Sequence, residues 1–352
     1  MSRKRALAAL RGETTDRVPL IELAAHPDFM KQITGADPYE KTAEVFADYL
    51  ARMDTDASIL GCLPTPRTKD GSVEQDEHHV YAQWGLRDTP WLTKPLYATM
   101  DEVLGFDPRK HDPSSPQEKI DRYCRDYETA QRLFGESVQY MPGHYQLVLH
   151  YVPFFCDWAV FLEALLSEPD RCRRLFDRCA GYSLEVFEAL AQTPAPAIIA
   201  HEDLCSACGP IYSPDLLRKE VFPRFAEIFS PVKKAGKRIF AFGEGKIEEI
   251  AADLLEAGAD GVFVDQNNNL EAIVELVGRQ GLIVAGIDTL TLTNGSPERI
   301  RELIAQRMAV ARRIPGFFFC VTGETPQNVP AENLQTYFDA CREYGSFDTS
   351  VP

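Results

Sequence analysis

The sequence predicts a single (β/α)8 TIM barrel with an insertion after the second strand. Short apolar runs recur along the chain, and the segments between them place apolar residues at helical spacing. The runs lack polar alternation, as expected for strands of a parallel sheet that helices cover. Each of the last five runs ends in acidic or polar residues, and barrel active sites lie at this end of the strands. No G-x-G-x-x-G opens a helix, which argues against an open dinucleotide-binding sheet.

The elements follow one another at regular intervals. The helix after the fourth strand is the best marked, with Ser213 as N-cap, Pro214 at its first position and Gly236 beyond its end. Residues 64–116 interrupt the rhythm, and alternation at 80–84 predicts a small β excursion. We expect this insertion to lie near the barrel mouth. The whole chain, 1–352, is expected to form one domain, and its eight strands are expected to begin near residues 20, 57, 138, 197, 238, 261, 282 and 317.

Composition excludes several classes of function. The chain is 45% hydrophobic and 26% charged, as in ordinary globular proteins. Its net charge of −16 argues against a nucleic-acid partner, since phosphate binding requires clustered cations. No apolar run approaches the roughly 18 residues of a membrane helix, and the basic N-terminus leads into a polar helix rather than a signal peptide. Nine cysteines, an odd number, suggest reduced thiols and a cytoplasmic location.

Polar residues at two neighbouring strand ends form the centre of the candidate site. The fourth strand ends at His201-Glu202-Asp203, and Glu244 follows the fifth. Imidazoles and carboxylates at this edge can donate or accept protons, so we predict that all four are catalytic. The structural alternatives are that His201 is satisfied by the neighbouring carboxylates and that Glu244 caps the next helix.

Further residues are predicted to contact the substrate. His26, Asp265 and Asp288 follow the first, sixth and seventh strands, and Trp84 in the insertion is suited to stack on an aromatic ring. Asp265 and Asp288 could instead fix loops through backbone hydrogen bonds, and Trp84 could be an ordinary hydrophobic anchor. The single motif Cys205-x-x-Cys208 is weak evidence for metal or redox chemistry.

Several stretches of the chain carry a family resemblance. They are residues 5–12 (RALAALRG), 16–19 (DRVP), 202–203 (ED), 209–210 (GP), 213–216 (SPDL), 286–288 (GID) and 329–333 (VPAEN). Together they resemble the uroporphyrinogen decarboxylase superfamily over nearly the whole length. The resemblance implies a barrel with one of two chemistries: cofactor-free decarboxylation of porphyrinogen acetate groups, or methyl transfer to or from a corrinoid.

Departures from the family pattern favour the second chemistry. The decarboxylases carry an Arg-Gln-Ala-Gly-Arg motif after the first strand, whereas residues 23–27 here are LAAHP. A polycarboxylate substrate would therefore meet no arginine in this segment of a strongly acidic protein. The Glu202-Asp203 pair is more similar to the branch of corrinoid-dependent methyltransferases and O-demethylases.

The zinc site of related thiol methyltransferases is not matched by the residues of this sequence. The resemblance places Phe242 and Glu244 at its His-x-Cys positions, and Gly323 or Glu324 near its third ligand. A thiol methyl acceptor is therefore not expected. Zinc or a hard ion is left open, with His201, Glu202 and Glu244 as candidate ligands.

The resemblance and the site residues together predict a methyltransferase. Its expected reaction moves a methyl group from a methoxylated small-molecule donor to the cobalt of a corrinoid, and nearby acids stabilise the leaving oxygen. The sequence contains no D-x-H-x-x-G corrinoid motif, so the methylcobalamin is expected on a partner corrinoid protein. Superfamily relatives suggest a homodimer.

Two alternatives stay open at this stage. The first is a cofactor-free decarboxylase or lyase acting on a carboxylated substrate, which would require cations such as Arg67, Arg87 or Arg238 in the pocket. The second is a non-catalytic protein that binds a corrinoid or tetrapyrrole; a pocket without convergent titratable groups would favour it.

Overall fold

Strands and helices alternate along most of the chain. The computed structural model describes residues 2–22, 25–59, 78–84, 87–323 and 325–347. Its strands are β1 (Ala57–Ile59), β2 (His79–Trp84), β3 (Arg87–Leu92), β4 (Gln139–Met141), β5 (Gly143–His144), β6 (Ala197–His201), β7 (Cys205–Ser206), β8 (Gly209–Pro210), β9 (Arg238–Phe242), β10 (Gly261–Val264), β11 (Leu282–Asp288) and β12 (Phe317–Thr322).

The helices lie between these strands, before the first of them and after the last. They are α1 (Ser2–Leu10), α2 (Pro27–Thr34), α3 (Thr42–Arg52), α4 (Met100–Leu104), α5 (Pro116–Phe134), α6 (Tyr151–Phe155), α7 (Trp158–Ser167), α8 (Pro169–Gln192), α9 (Pro214–Leu216), α10 (Phe222–Lys234), α11 (Ala251–Glu256), α12 (Leu270–Val277), α13 (Thr289–Asn294), α14 (Pro297–Ala311) and α15 (Ala331–Gly345). A 3-10 turn spans Pro108–Lys110, and a π-helical turn spans Leu217–Val221.

Parallel pairs follow one another in the order of a (β/α)8 barrel, which confirms the predicted fold class. Six strands form one sheet in the order β12-β11-β10-β9-β6-β5, and β1 pairs with β4 in parallel. Pro142 separates β4 from β5, and its carbonyl accepts the N–H of Ile199. Single parallel bridges then join Leu20 to Phe319 and Ile21 to Ala57.

The predicted strand positions are confirmed, with one difference at the first. A strand over 20–25 was expected, but only Leu20 and Ile21 pair with their neighbours, and Leu23 and Ala24 lie outside the described residues. The side chain of the next residue, Glu22, is buried and accepts hydrogen bonds from the Tyr337 hydroxyl and the Val321 N–H.

The helix after β6 begins as the sequence predicts but is not uniform. The Ser213 hydroxyl accepts the N–H of Leu216 at 3.2 Å, as an N-cap does, and Gly236 follows the end of α10 with φ +71°. Between them the chain makes the π-helical turn Leu217–Val221. Pro223 lies in the first turn of α10 and has no N–H to bond back to the preceding turn, which accounts for the wider turn.

The insertion contains the expected β excursion. β2 and β3 pair antiparallel from His79–Leu92 to Trp84–Arg87. Beyond this hairpin, the N–H groups of Leu96 and Tyr97 donate to the carbonyl of Phe155 at the end of α6. The insertion is thereby joined to the segment that follows β5. Residues 60–77 lie outside the described part of the chain.

Close backbone contact holds the last two strands together. Gly286 in β11 pairs with Cys320 in β12, and a Cβ at Gly286 would lie 1.6 Å from the Cys320 carbonyl oxygen. Only glycine permits this approach. The barrel interior beside it is aromatic, with the Phe240 and Phe318 rings 5.8 Å apart and edge to face.

Two further observations concern helices and thiols. Within the described ranges, no helix combines the length and apolar composition needed to cross a bilayer. The eight cysteines among the described residues are free thiols, and Cys62 lies outside these residues.

Candidate active site at the carboxyl ends of the strands

Two imidazoles and one carboxylate meet where β6 ends. The Nε2 of His201 lies 3.0 Å from Asp203 Oδ1, and the Nε2 of His150 lies 3.4 Å from Asp203 Oδ2. The backbone N–H of Glu244 also donates to Asp203 Oδ1, at 3.0 Å. We call His150, His201 and Asp203 the imidazole–carboxylate cluster. Donors from two segments of the chain bond its carboxylate, and the His150 imidazole approaches it from a third.

The hydrogen bonds define the protonation state of the cluster. Burial alone would raise the pKa of Asp203, but the hydrogen bond from His201 and the charges of both imidazoles lower it below its ordinary value. Burial lowers the pKa of His150 to about 4. Its Nδ1 accepts the backbone N–H of Asp203 at 3.3 Å, so its single proton sits on Nε2. Asp203 is therefore ionised and His150 neutral near pH 7.

The Nδ1 atom of His201 is the ring nitrogen of the cluster that no described residue bonds. Its Nε2 faces Asp203, so in the neutral ring Nδ1 carries a lone pair. This Nδ1 is buried and has no hydrogen-bond partner among the described residues. A buried polar atom without a partner costs free energy and requires an explanation, and a catalytic role is one such explanation. His201 Nδ1 is therefore suited to exchange a proton with a bound molecule.

An aromatic side chain covers the cluster on one side. The Tyr145 ring lies 4.0 Å from that of His201 and 5.1 Å from that of His150, measured between centroids. Tyr145 is 36% exposed, and the Asp203 side chain is 27% exposed. Asp203 and Tyr145 thus reach the surface, and the two imidazoles are buried directly beneath them.

Glu202 has a different environment from Asp203. Its buried carboxylate accepts the backbone N–H groups of four consecutive residues, Leu147, Val148, Leu149 and His150. Burial raises the pKa of Glu202 to about 7, although these four donors lower it. The structure thus gives this predicted catalytic residue a loop-anchoring role that the sequence did not suggest. Its lone pairs are directed at the backbone rather than at the cluster.

The other strand-end acids mainly organise loops. Asp265 accepts the N–H groups of Gly245 (2.7 Å) and Asn267 (2.8 Å), together with the side-chain amides of Asn267 and Asn268. Asp288 caps α13 by accepting the N–H and hydroxyl of Thr291. Both residues thus bind backbone N–H groups, as in the alternative that they fix loops. Their contacts with a substrate stay predictions.

The remaining predicted residues are dispersed. His26 caps α2 through Nδ1, which accepts the Phe29 N–H, and its Nε2 lies 2.9 Å from the Gln327 carbonyl oxygen. Both ring nitrogens are therefore occupied by the protein itself. Glu244 is exposed beside the cluster, and its catalytic role stays a prediction. Trp84 ends β2, but its side chain lies outside the described part of the structure.

The predicted metal ligands do not converge in the described part of the chain. There, no three His, Cys, Asp or Glu side chains are grouped so that they could hold an ion. Phe242, which the resemblance placed at a zinc-ligand position, stacks on Phe263 with centroids 4.8 Å apart. Burial raises the pKa of the Cys205 thiol to about 12, whereas Cys208 is exposed. Glu324 lies outside the described residues.

The sequence reasoning missed His150 and Tyr145. Both follow β5 in the segment 144–150, which contains two histidines and directly succeeds the third barrel strand. The rule that drew attention to the other strand ends applies equally here.

Arg238 bears on the decarboxylase alternative. It stands at the start of β9, the opposite end from the cluster, and its guanidinium bonds Asp260 and the Leu10 carbonyl. It therefore does not supply a cation to the barrel mouth. Arg67 and the side chain of Arg87 lie outside the described residues.

The protein is a (β/α)8 barrel whose candidate active site lies at the carboxyl ends of the strands, where barrel enzymes have their active sites. Residues 156–344 match the family model for uroporphyrinogen decarboxylase (URO-D). Because the match covers more than half of the 352 residues, the protein belongs to the uroporphyrinogen decarboxylase family. This confirms the resemblance found in the sequence. Comparison with curated proteins gave no significant match.

Solved structures with a similar fold include a methyltransferase from Methanosarcina mazei. Its TM-score is 0.68 at 18% identity, covering 97% of this chain and 98% of that one. An endo-β-1,4-xylanase from Gloeophyllum trabeum has a TM-score of 0.48 at 8% identity, covering 94% and 98%. A xylose isomerase-like TIM barrel protein from Mycobacterium smegmatis has a TM-score of 0.38 at 11% identity, covering 94% and 98%. The first likeness shows the fold, and the other two carry no argument.

Proposed function

We propose that this protein is a methyltransferase that moves a methyl group from a methoxylated substrate to the cobalt of a separate corrinoid protein. The observation that carries the proposal is the open Nδ1 of His201 beside the ionised Asp203. Membership of the family and the overall likeness to a methyltransferase from Methanosarcina mazei support it. Cleavage of a methyl ether requires stabilisation of the leaving oxygen, and the cluster can provide this.

The proton step is assigned to His201. When a reduced corrinoid is bound, it supplies the nucleophile that takes the methyl group. His201 in its protonated form, stabilised by Asp203, donates the proton on Nδ1 to the alkoxide or phenoxide oxygen as that bond breaks. His150 cannot do this, because its Nδ1 already accepts the Asp203 N–H.

The position of the cluster fits a cofactor carried by a partner. Asp203 and Tyr145 are both partly exposed, so a second protein can bring a reactive group to the barrel mouth. The Nε2 atoms of His150 and His201 face Asp203, and the proposal therefore uses these histidines in proton transfer rather than as metal ligands.

The test measures methyl transfer directly. The protein is mixed with cob(I)alamin or a reduced corrinoid protein and a panel of methoxylated compounds, and the methyl-cobalt absorbance is followed. His201→Gln keeps a donor near the position of Nε2 but removes Nδ1, so we expect kcat to fall by about 100-fold or more. Glu275→Gln changes an exposed residue of α12 and serves as the control.

Other outcomes would reject the proposal. If no compound yields methyl-cobalt while a carboxylated analogue releases carbon dioxide, the protein is a lyase. If His201→Gln transfers methyl groups as fast as the native protein, the proton step does not belong to His201. Inactivity in both assays would favour a binding protein.

A further inference from the structure

We propose that His150 is a positioning residue: its Nε2–H holds the Asp203 carboxylate, and through it fixes the ring of His201 so that Nδ1 faces the substrate. The kinetic part of this inference rests on the proposed function, whereas its structural part does not. His150 touches neither substrate nor cofactor in this role. It acts through Asp203.

The first argument is the tautomer of His150. The backbone N–H of Asp203 points at Nδ1 from 3.3 Å, and an N–H donor requires a lone pair there. The remaining proton is on Nε2, which lies 3.4 Å from Asp203 Oδ2. His150 and Asp203 thus contact each other twice, through a hydrogen bond from the Asp203 backbone and through the approach of the two side chains. This arrangement fixes both the imidazole and the carboxylate.

The second argument is the rigidity of the segment that carries His150. Glu202 accepts the N–H of His150 at 3.0 Å and those of the three residues before it. The backbone at 147–150 is therefore tied to the end of β6, from which Asp203 also extends. Tyr145 and Phe154 pack on the His150 ring, each with centroids 5.1 Å away. His150 is 8% exposed and has little freedom to turn.

The third argument is the number of donors that Asp203 requires. Oδ1 accepts His201 Nε2–H and the Glu244 N–H, both at 3.0 Å, so it is held on one side. Among the described residues, His150 is the side chain that approaches Oδ2, at 3.4 Å. Without His150, the carboxylate of Asp203 can rotate toward solvent and its hydrogen bond with His201 weakens. The ring of His201 then no longer keeps Nδ1 directed at the substrate. Misplacement of a catalytic group by about 1 Å can cost 100-fold in rate.

Two substitutions of His150 separate its two contacts with Asp203. His150→Gln places an amide N–H near the position of Nε2 and keeps the donor to Asp203 Oδ2. His150→Asn places an amide oxygen near Nδ1, which keeps the acceptor for the Asp203 N–H but loses that donor. We expect Gln to retain kcat within about threefold and Asn to lower it about 10- to 100-fold, with KM changed less than about twofold in both.

Kinetic results can overturn the proposal. It fails if the two variants lose kcat equally, or if KM rises while kcat is unchanged. Equal melting temperatures of the two variants exclude loss of folding as the cause of a difference between them.

A spectroscopic test does not depend on the reaction. In the protein with 15N-labelled histidine, NMR distinguishes protonated from bare ring nitrogens, and the variants assign the signals. At pH 7 we expect His150 to carry its proton on Nε2 alone, and His201 to exchange between tautomers in His150→Asn but not in His150→Gln. A proton on Nδ1 of His150 would overturn the inference. If the tautomers are as expected and no methyl transfer is found, the proposed function fails and the positioning role stands.

Discussion

Glu202→Gln keeps the size of the Glu202 side chain and replaces one carboxylate oxygen by NH2. If the amide oxygen takes the place of Oε1, the N–H of Leu147, which lies 2.6 Å from Oε2, faces another N–H donor. A buried N–H without an acceptor costs about 1–3 kcal/mol. Loss of the buried charge offsets part of this, since burial raises the pKa of Glu202 to about 7. We expect the free energy of unfolding to fall by about 2 kcal/mol, and by about 4 kcal/mol in Glu202→Ala, where four N–H groups lose their acceptor.

Urea unfolding at pH 7, followed by circular dichroism, measures this change. Glu275→Gln is the matched control, because Glu275 is an exposed glutamate on α12, and it should unfold within about 0.5 kcal/mol of the native protein. Methyl transfer is measured on the same samples. The loop-anchor reasoning is refuted if Glu202→Gln is as stable as the control while its methyl transfer falls by about 100-fold, the factor expected for loss of an acid–base group.

Two further predictions concern pH and packing. Burial lowers the pKa of His150 from 6.5 to about 4, so below pH 6.5 the unfolded chain binds a proton that the folded protein does not. The free energy of unfolding therefore falls as the pH falls from 6.5 toward 4. Between pH 7.5 and 5 the fall due to His150 amounts to about 2 kcal/mol, and His150→Gln should not show it in urea unfolding. An unchanged pH dependence in that variant would contradict the neutral assignment. Gly286→Ala places a Cβ 1.6 Å from the Cys320 carbonyl oxygen and should cost more than about 4 kcal/mol or prevent folding. Gly181→Ala in α8 meets only the end of the Arg109 side chain, so it should change stability by about 1 kcal/mol or less in thermal unfolding; similar melting temperatures for the two variants would refute the packing argument.

Apolar patterning was sufficient to predict most of the barrel. β6 and β10 are buried at every position, which their uninterrupted apolar sequences indicate. Patterning was less informative where backbone hydrogen bonding decides the structure. The π-helical turn Leu217–Val221 depends on a missing N–H at Pro223, not on side-chain polarity. In the described part of the first strand, Leu20 and Ile21 form the bridges to the neighbouring strands, although the apolar run around them is longer.

The strand-end rule identified positions but not their roles. Helices begin where strands end, and an N-cap requires a hydrogen-bond acceptor just as a catalytic site requires an acid or base. Asp288 and His26 serve as N-caps in the structure, and the sequence pattern suits either role. The contact between His150 and Asp203 joins residues 53 positions apart. It depends on how the loop before α6 folds, and the spacing of residues in the sequence does not reveal that.

Strand alternation explains why two adjacent acids have different roles. The pairing of β6 with β9 continues one residue past the strand, where the Glu202 N–H donates to the Phe242 carbonyl at 2.9 Å. In an extended chain, residues two apart face the same side and neighbours face opposite sides. His201 and Asp203 therefore meet, whereas Glu202 points away and binds the loop.

A consecutive Glu-Asp pair on such a chain cannot direct both carboxylates at one substrate. One of them builds the loop that carries His150, and the other holds the imidazoles. Loss of either should abolish activity, Glu202 by releasing the loop and Asp203 by releasing the ring of His201. Activity measurements alone therefore cannot distinguish the two roles. Stability can, because four buried backbone N–H groups depend on Glu202, whereas the partly exposed carboxylate of Asp203 accepts one backbone N–H, that of the exposed residue Glu244.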